Sequence, residues 1–200
     1  MKVAIIGYGS LVRNLKDLPV EMDIFNENGP ELPLEFSRIS KDGRLTLVID
    51  EKRGTQNKTF YTVSRQNNLE KAVEDLRKRE KLYTSDFIGW VNNTNRTNSI
   101  KSSRHPNIVS KIIEWNNQNN FDAAIWTDLG PRFKNITGIK YSNDAAWEYL
   151  LNLPVKRFVK ALDYIRSTPV QIKTSFLNSF NERLKDEEPI EEEIIEEIVL

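Results

Sequence analysis

Lys2-Val3-Ala4-Ile5-Ile6-Gly7-Tyr8-Gly9-Ser10-Leu11 opens the chain with an apolar, β-branched run that stops at two glycines. Such a run reads as a buried strand that delivers its last residues to a tight turn. Two folds compete for it. In a doubly wound parallel sheet, a long helix would open at the glycines and place its first amides on a pyrophosphate. The third glycine position of that fingerprint is Val12, and Pro19 stops any helix soon after it begins. Glu27, where an acidic ribose contact would be expected, lies beside Asn28-Gly29-Pro30 in a turn. A strand feeding a glycine turn in a mixed α+β domain makes none of these demands. Nucleotide binding by Gly7 to Ser10 stays open as an alternative.

Outward from this stretch, Leu11, Leu15 and Leu18 suggest a short helical turn ended by Pro19, and Met22 to Phe25 and Leu34 to Ile39 read as strands. Asp42-Gly43 reads as a two-residue hairpin turn before the strand Arg44 to Asp50. Lys52 to Thr55 forms a further turn, Lys58 to Val63 a strand, and Asn68 to Arg79 a helix with Leu69, Ala72, Val73 and Leu76 on one face. Phe87 to Val91 is strand-like. Asn92 to Asn107, rich in Asn, Ser, Thr and Arg, reads as a long loop. Beyond it come a helix over Ile108 to Asn116, a short buried strand over Ala123 to Trp126, and helices over Asn143 to Leu151 and Val155 to Ile165, split by Pro154. Trp115, Phe121, Trp126, Trp147 and Tyr149 are read as core aromatics. The first ninety residues are thus mostly β and the rest mostly α.

At 200 residues with 38% apolar and 29% charged side chains, the chain is expected to build one domain over residues 1–185, with an acidic tail over 186–200. Its longest apolar runs are strand-length, far from the roughly 20 residues of a membrane span. Its start lacks the apolar core of a secretory signal, so the expected address is cytoplasmic. With no cysteine, disulfides, thiolate nucleophiles and cysteine-held metals are excluded. The single histidine, His105, cannot make a multi-histidine metal site and reads as an exposed loop residue. No metal site is expected.

The formal net charge of zero conceals an asymmetry. Residues 186–200 carry one Asp, seven Glu and no Lys or Arg, leaving 29 bases against 21 acids in the preceding 185 residues. A body of +8 thus faces a tail of −8. Ile190, Ile194, Ile195, Ile198 and Val199 would gather along one side of a helix, so the tail reads either as a disordered acidic end or as an amphipathic helix docking on this or another chain. The second reading offers a route to homo-oligomers. Arg77, Lys78, Arg79, Lys81, Arg96, Lys101 and Arg104 could meet phosphates. No nucleic-acid motif accompanies them, and a solvated face is the default.

Tyr8-Gly9-Ser10-Leu11 after an N-terminal strand is similar to the substrate loop of the gamma-glutamyl cyclotransferase family. Leu76-Arg77-Lys78-Arg79-Glu80-Lys81 resembles the Leu-x-x-Arg-Glu-Lys segment of that family's glutathione-specific branch, in the same order along the chain. The resemblance spans about residues 1 to 91. The glycine that often follows the glutamate in other branches is Lys81 here, and the branch's aromatic falls one position early at Tyr83.

The resemblance implies an N-terminal mixed β-barrel or curved sheet flanked by helices, with a helical C-terminal extension. It also implies a small-molecule γ-glutamyl substrate, no cofactor, and Glu80 as the general acid/base. Tyr8, Gly9, Ser10 and Leu11 would bind substrate, the turn presenting amides and a hydroxyl to a carboxylate or oxyanion. A buried carboxylate would have its pKa raised toward neutrality and could take the proton of the attacking α-amine. Arg38 could offer a bidentate contact to a substrate carboxylate or be a surface strand residue. A non-catalytic interaction module on the same scaffold is the competing expectation, and it predicts a closed pocket behind Tyr8 to Leu11.

Overall fold

The computed structural model describes residues 1–93, 99–101 and 104–186. Its first strand, β1 (Val3–Gly7), is buried at every position because it separates two apolar layers. Ala4 and Ile6 join the larger core, whereas Val3 and Ile5 join a smaller one. That two-sided burial explains why the run reads as continuously apolar instead of alternating.

The glycine turn leads into α1 (Ser10–Arg13), a helix of four residues. Strands β2 (Glu31–Ile39), β3 (Leu45–Ile49) and β4 (Thr55–Lys58) form an antiparallel three-stranded sheet in the order β3-β2-β4. The second sheet contains β5 (Phe60–Val63), β6 (Ile88–Asn92), β7 (Ser99–Lys101) and β8 (Ala123–Thr127), in the order β5-β1-β8-β6-β7. Among the described residues, only β1 and β8 run parallel; β5–β1, β8–β6 and β6–β7 are antiparallel. The chain is therefore mixed α+β with two sheets. Neither closes into a barrel among the described residues, and the doubly wound parallel sheet of a dinucleotide fold is not formed.

Helix α2 (Leu69–Arg79) starts at Asn68, whose side chain accepts a hydrogen bond from the Lys71 amide, and carries Arg77, Lys78 and Arg79 in its last turn to complement the helix dipole. Val73 and Leu76 pack with Val3, Ile5, Ile88 and Ile125 in the smaller core. The second half supplies α3 (Pro106–Gln118), α4 (Phe133–Thr137), α5 (Asn143–Leu151), α6 (Val155–Arg166) and α7 (Ser175–Asp186). Trp115, Phe121, Trp126 and Trp147 are buried in the larger core with Tyr149 packed against it, as read from the sequence.

Several local expectations are corrected. Met22 to Phe25 is not a strand; its neighbourhood is held by isolated bridges at Val20–Ser64 and Asn26–Tyr61. The hairpin joins β2 to β3, but Ile39 pairs with Leu45, so its loop is Ser40 to Arg44 instead of two residues. The Gly43 amide donates to Ser40 O and the Ser40 amide to Arg44 O, with Gly43 at φ +85°, a turn closed by a glycine bulge. The expected strand Lys58 to Val63 is divided between β4 and β5. Strand β7 lies within the stretch read as a loop. His105 is buried, 3% exposed, at the start of α3 and is no surface bystander. Of the acidic tail, only Asp186 at the end of α7 falls within the described residues.

Candidate active site

Because β1 and β8 run parallel, their carboxyl ends lie together, and the site is built there. The Tyr8 hydroxyl donates to the Thr127 carbonyl at 2.7 Å and lies 3.1 Å from Thr127 Oγ1, fastening the end of one strand to the end of the other. Burial pushes the Tyr8 phenol well above its ordinary value, so it stays protonated. Gly9 follows with φ +152° and ψ −131°, a backbone conformation essentially confined to glycine. A Cβ there would also come within 3.3 Å of the Tyr164 hydroxyl. Among the described residues, the amides of Gly9, Ser10 and Leu11 donate to no acceptor.

The second component arrives on α2. That helix ends in a Schellman turn: the Lys81 amide donates to Lys78 O, the Leu82 amide to Arg77 O, and Lys81 takes φ +55°. The glycine that often stands here would adopt this conformation without strain; Lys81 adopts it at a cost of about 1–2 kcal/mol. The turn fixes the direction in which Glu80 leaves the helix. The Glu80 side chain is 17% exposed, and its Oε1 accepts from Arg79 Nη1 at 2.5 Å. Its Oε2 accepts no hydrogen bond among the described residues.

Arg79 joins the two components. Its side chain is 3% exposed, and its Nη2 donates to Ser10 O at 2.7 Å and also to Asn14 O. One guanidinium thus holds the carboxylate and the carbonyls of the turn after β1 in a single frame. Arg79 belongs to the segment quoted from the sequence, but its part in the site depends on a contact across 69 residues that no local pattern reveals.

Glu80, Tyr8, Gly9, Ser10, Leu11 and Arg38 all line one cavity of about 510 Å³. Arg38 is half-buried, and its Nη1 donates to Gly130 O at 2.9 Å. Burial, with Arg132 and Arg104 as like-charged neighbours, draws its guanidinium below the ordinary arginine range. The hairpin loop contributes Ser40, Lys41, Asp42 and Arg44, and the later half of the chain contributes Thr127, Leu129, Arg132 and Tyr164. Tyr164 accepts from the Leu47 amide at 3.4 Å under the guanidinium of Arg44, and burial pushes its phenol up to about 12. None of Thr127, Arg132 or Tyr164 was marked from the sequence. Tyr164 sits on the amphipathic α6, where its spacing signals only a buried face.

The basic stretch does not present one free face. Arg77 donates to both Glu74 oxygens at 2.7 Å, Arg79 is buried, and Lys101 bonds Asp86 at 3.1 Å. Arg96 lies outside the described residues. No group of three or more His, Asp or Glu side chains able to hold a metal occurs among the described residues, and no helix there is long and apolar enough to cross a membrane.

The chain was compared with protein-family models, with curated proteins and with solved structures, and no match was found in any of the three.

Proposed function

We propose that the cavity between the Tyr8 to Leu11 turn and Glu80 carries out gamma-glutamyl cyclotransfer, releasing 5-oxoproline and a free amine from a γ-glutamyl amide or peptide. The observation that supports it is the Arg79 bridge: a carboxylate and a turn with unused amides share one cavity and are held by the same guanidinium. The resemblance of the two motifs to that family calls for the carboxylate and the turn to face one cavity; it does not call for the arginine between them.

In the reaction the α-amine attacks its own γ-carbonyl. A bond forms between that nitrogen and the γ-carbonyl carbon (Cδ of the glutamyl group), and the bond from that carbon to the leaving nitrogen breaks. The ammonium gives up two protons on becoming the lactam nitrogen, and the leaving nitrogen gains two on departing as an ammonium. A single carboxylate that shuttles them is restored every cycle, so the balance requires no cofactor. Glu80 is suited to this shuttle through the oxygen that Arg79 does not engage. The amides of Gly9, Ser10 and Leu11 are suited to the substrate carboxylate or to the oxyanion that forms on the attacked carbonyl oxygen. Holding amine and carbonyl in contact turns the ring closure into a positioned intramolecular step, which is worth up to about 7–11 kcal/mol of the barrier.

A non-catalytic module would need no accessible space behind the turn, and the open cavity of about 510 Å³ weighs against that alternative. The deciding experiment is 5-oxoproline release from a panel of γ-glutamyl amino acids, peptides and amines by the wild-type chain and by Glu80→Gln. Turnover should fall by about 10²- to 10⁴-fold in the variant, with binding and folding retained. Equal rates would remove Glu80 as the base, and no release by the wild type from any member would return the module reading.

A further inference from the structure

The cavity contains more positive charge than the protein neutralises. Arg44 is paired with Asp42 at 2.7 Å, and Glu80 is already paired with Arg79. Among the described residues, Arg38 and Arg132 make no ion pair, although both line the cavity. Their backbones are adjacent: the Arg132 amide donates to Ser37 O at 3.0 Å, one residue before Arg38. Arg38 is steadied by a carbonyl, Gly130 O, which orients a guanidinium without cancelling its charge.

A third cation lies close by. Arg104 stacks on Phe87, itself a cavity residue, at 4.5 Å from the ring centroid, and donates to the carbonyl of Asp86 at 2.8 Å. The Asp86 carboxylate is held by Lys101, and the buried Asp128 accepts from Trp126 Nε1 at 3.2 Å. Like charges crowded around a half-buried arginine are unfavourable unless an anion joins them, and planar guanidinium donors match a carboxylate in shape. The γ-glutamyl head cannot be that anion in net terms, because its α-carboxylate is offset by its own α-ammonium.

We infer that Arg38 and Arg132 form an anion subsite for a carboxylate on the leaving half of the substrate, which makes the preferred substrate a γ-glutamyl amino acid or peptide and not a γ-glutamyl amine. The choice of substrate rests on the cyclotransfer reading; the anion subsite does not.

Two measurements separate them. In ligand-observed NMR, N-acetylglycine carries the carboxylate of the leaving half without a γ-glutamyl head, and N-methylacetamide is its uncharged control. N-acetylglycine should bind the wild type and Glu80→Gln alike, and about 10- to 100-fold more weakly to Arg38→Gln and Arg132→Gln. N-methylacetamide should distinguish none of them. In turnover, kcat/KM for γ-glutamylglycine should exceed that for γ-glutamyl methylamide by about 10- to 100-fold in the wild type, and that ratio should collapse through KM in both arginine variants. Arg132 is exposed, so Arg132→Gln leaves the core intact, and circular dichroism checks both folds. Equal kcat/KM for the two substrates in the wild type, or N-acetylglycine binding undiminished in both arginine variants, overturns the inference. If neither γ-glutamyl compound is turned over while N-acetylglycine binding still depends on both arginines, cyclotransfer falls and the anion subsite stands.

Discussion

The two arginine-bearing parts of the cavity treat charge differently. At the end of α2, Arg79 is buried and its Nη1 and Nη2 donate to Glu80 Oε1, Ser10 O and Asn14 O, so its charge is met within the protein, although its Nε has no partner among the described residues. On the β2 side, Arg38 reaches one carbonyl and has Arg132 and Arg104 for neighbours. A guanidinium with its acceptors built in holds other groups in place before any ligand arrives. One that faces like charge is completed only when an anion arrives. The first arrangement suits groups that must be aligned for a reaction, and the second suits recognition.

The largest effect should follow from opening the closed arrangement. Arg79→Ala leaves a mostly buried carboxylate without its cation, takes the guanidinium donor from Asn14 O and leaves Ser10 O with the Asn14 amide alone, which should destabilise the fold by about 3–5 kcal/mol. Urea denaturation measures this, and a change under about 0.5 kcal/mol, the range of ordinary surface substitutions, would mean that the bridge organises nothing. Arg79→Lys restores the charge but not the fork that reaches three acceptors, so it should recover only part of the loss.

Next in size is Gly9→Ala, at about 1–3 kcal/mol, since φ +152° is unsuited to any residue with a Cβ. Combining it with Tyr164→Phe sharpens the comparison. Removing the hydroxyl 3.3 Å from the new Cβ should relieve the contact between the two halves of the chain while leaving the backbone strain. Full recovery in the double variant would show that crowding, and not φ, governs this position. Lys81→Gly should act in the opposite direction, stabilising the chain by about 1 kcal/mol as the Schellman turn gains a residue suited to φ +55°.

The last prediction contrasts Glu80 with a carboxylate that makes no ion pair among the described residues. Glu35 is buried and accepts from the Phe36 amide at 2.8 Å and the Phe176 amide at 3.4 Å. Burial outweighs these bonds and raises its carboxyl above the usual range. The native state therefore holds this proton more tightly than the unfolded chain does. The resulting stabilisation is complete below the unfolded glutamate pKa of about 4.3 and is lost as pH rises through the higher folded value. Glu35→Gln removes this component, so the stability difference between wild type and variant should change across that interval in denaturant titrations from acid to neutral pH. A difference independent of pH would refute the assignment.

Strand β1, helix α2 and helices α5 and α6 were legible because their apolar periods are local and their boundaries carry turn or capping chemistry, as at Gly7, Asn68 and Pro154. Met22 to Phe25 misled because β-type residues describe a strand only when a partner edge is available, and only isolated bridges form there. His105 misled because a polar local sequence conceals the neighbours that bury it, among them Gly130.

By itself the sequence determined which segments can be strands and helices, that cysteine chemistry is absent, and that a glycine turn and an Arg-Glu pair stand at the ends of two buried elements. Those properties are set by residue type and by spacing along the chain. Only the tertiary structure decided that β8, from the second half, lies between β1 and β6, that Arg79 spans to Ser10, and that Arg38 and Arg132 share a cavity with Glu80. The reason is physical: each of these is a contact between residues far apart in sequence, and burial and charge compensation at such a contact depend on which surfaces the whole chain brings together, not on the local pattern of either partner.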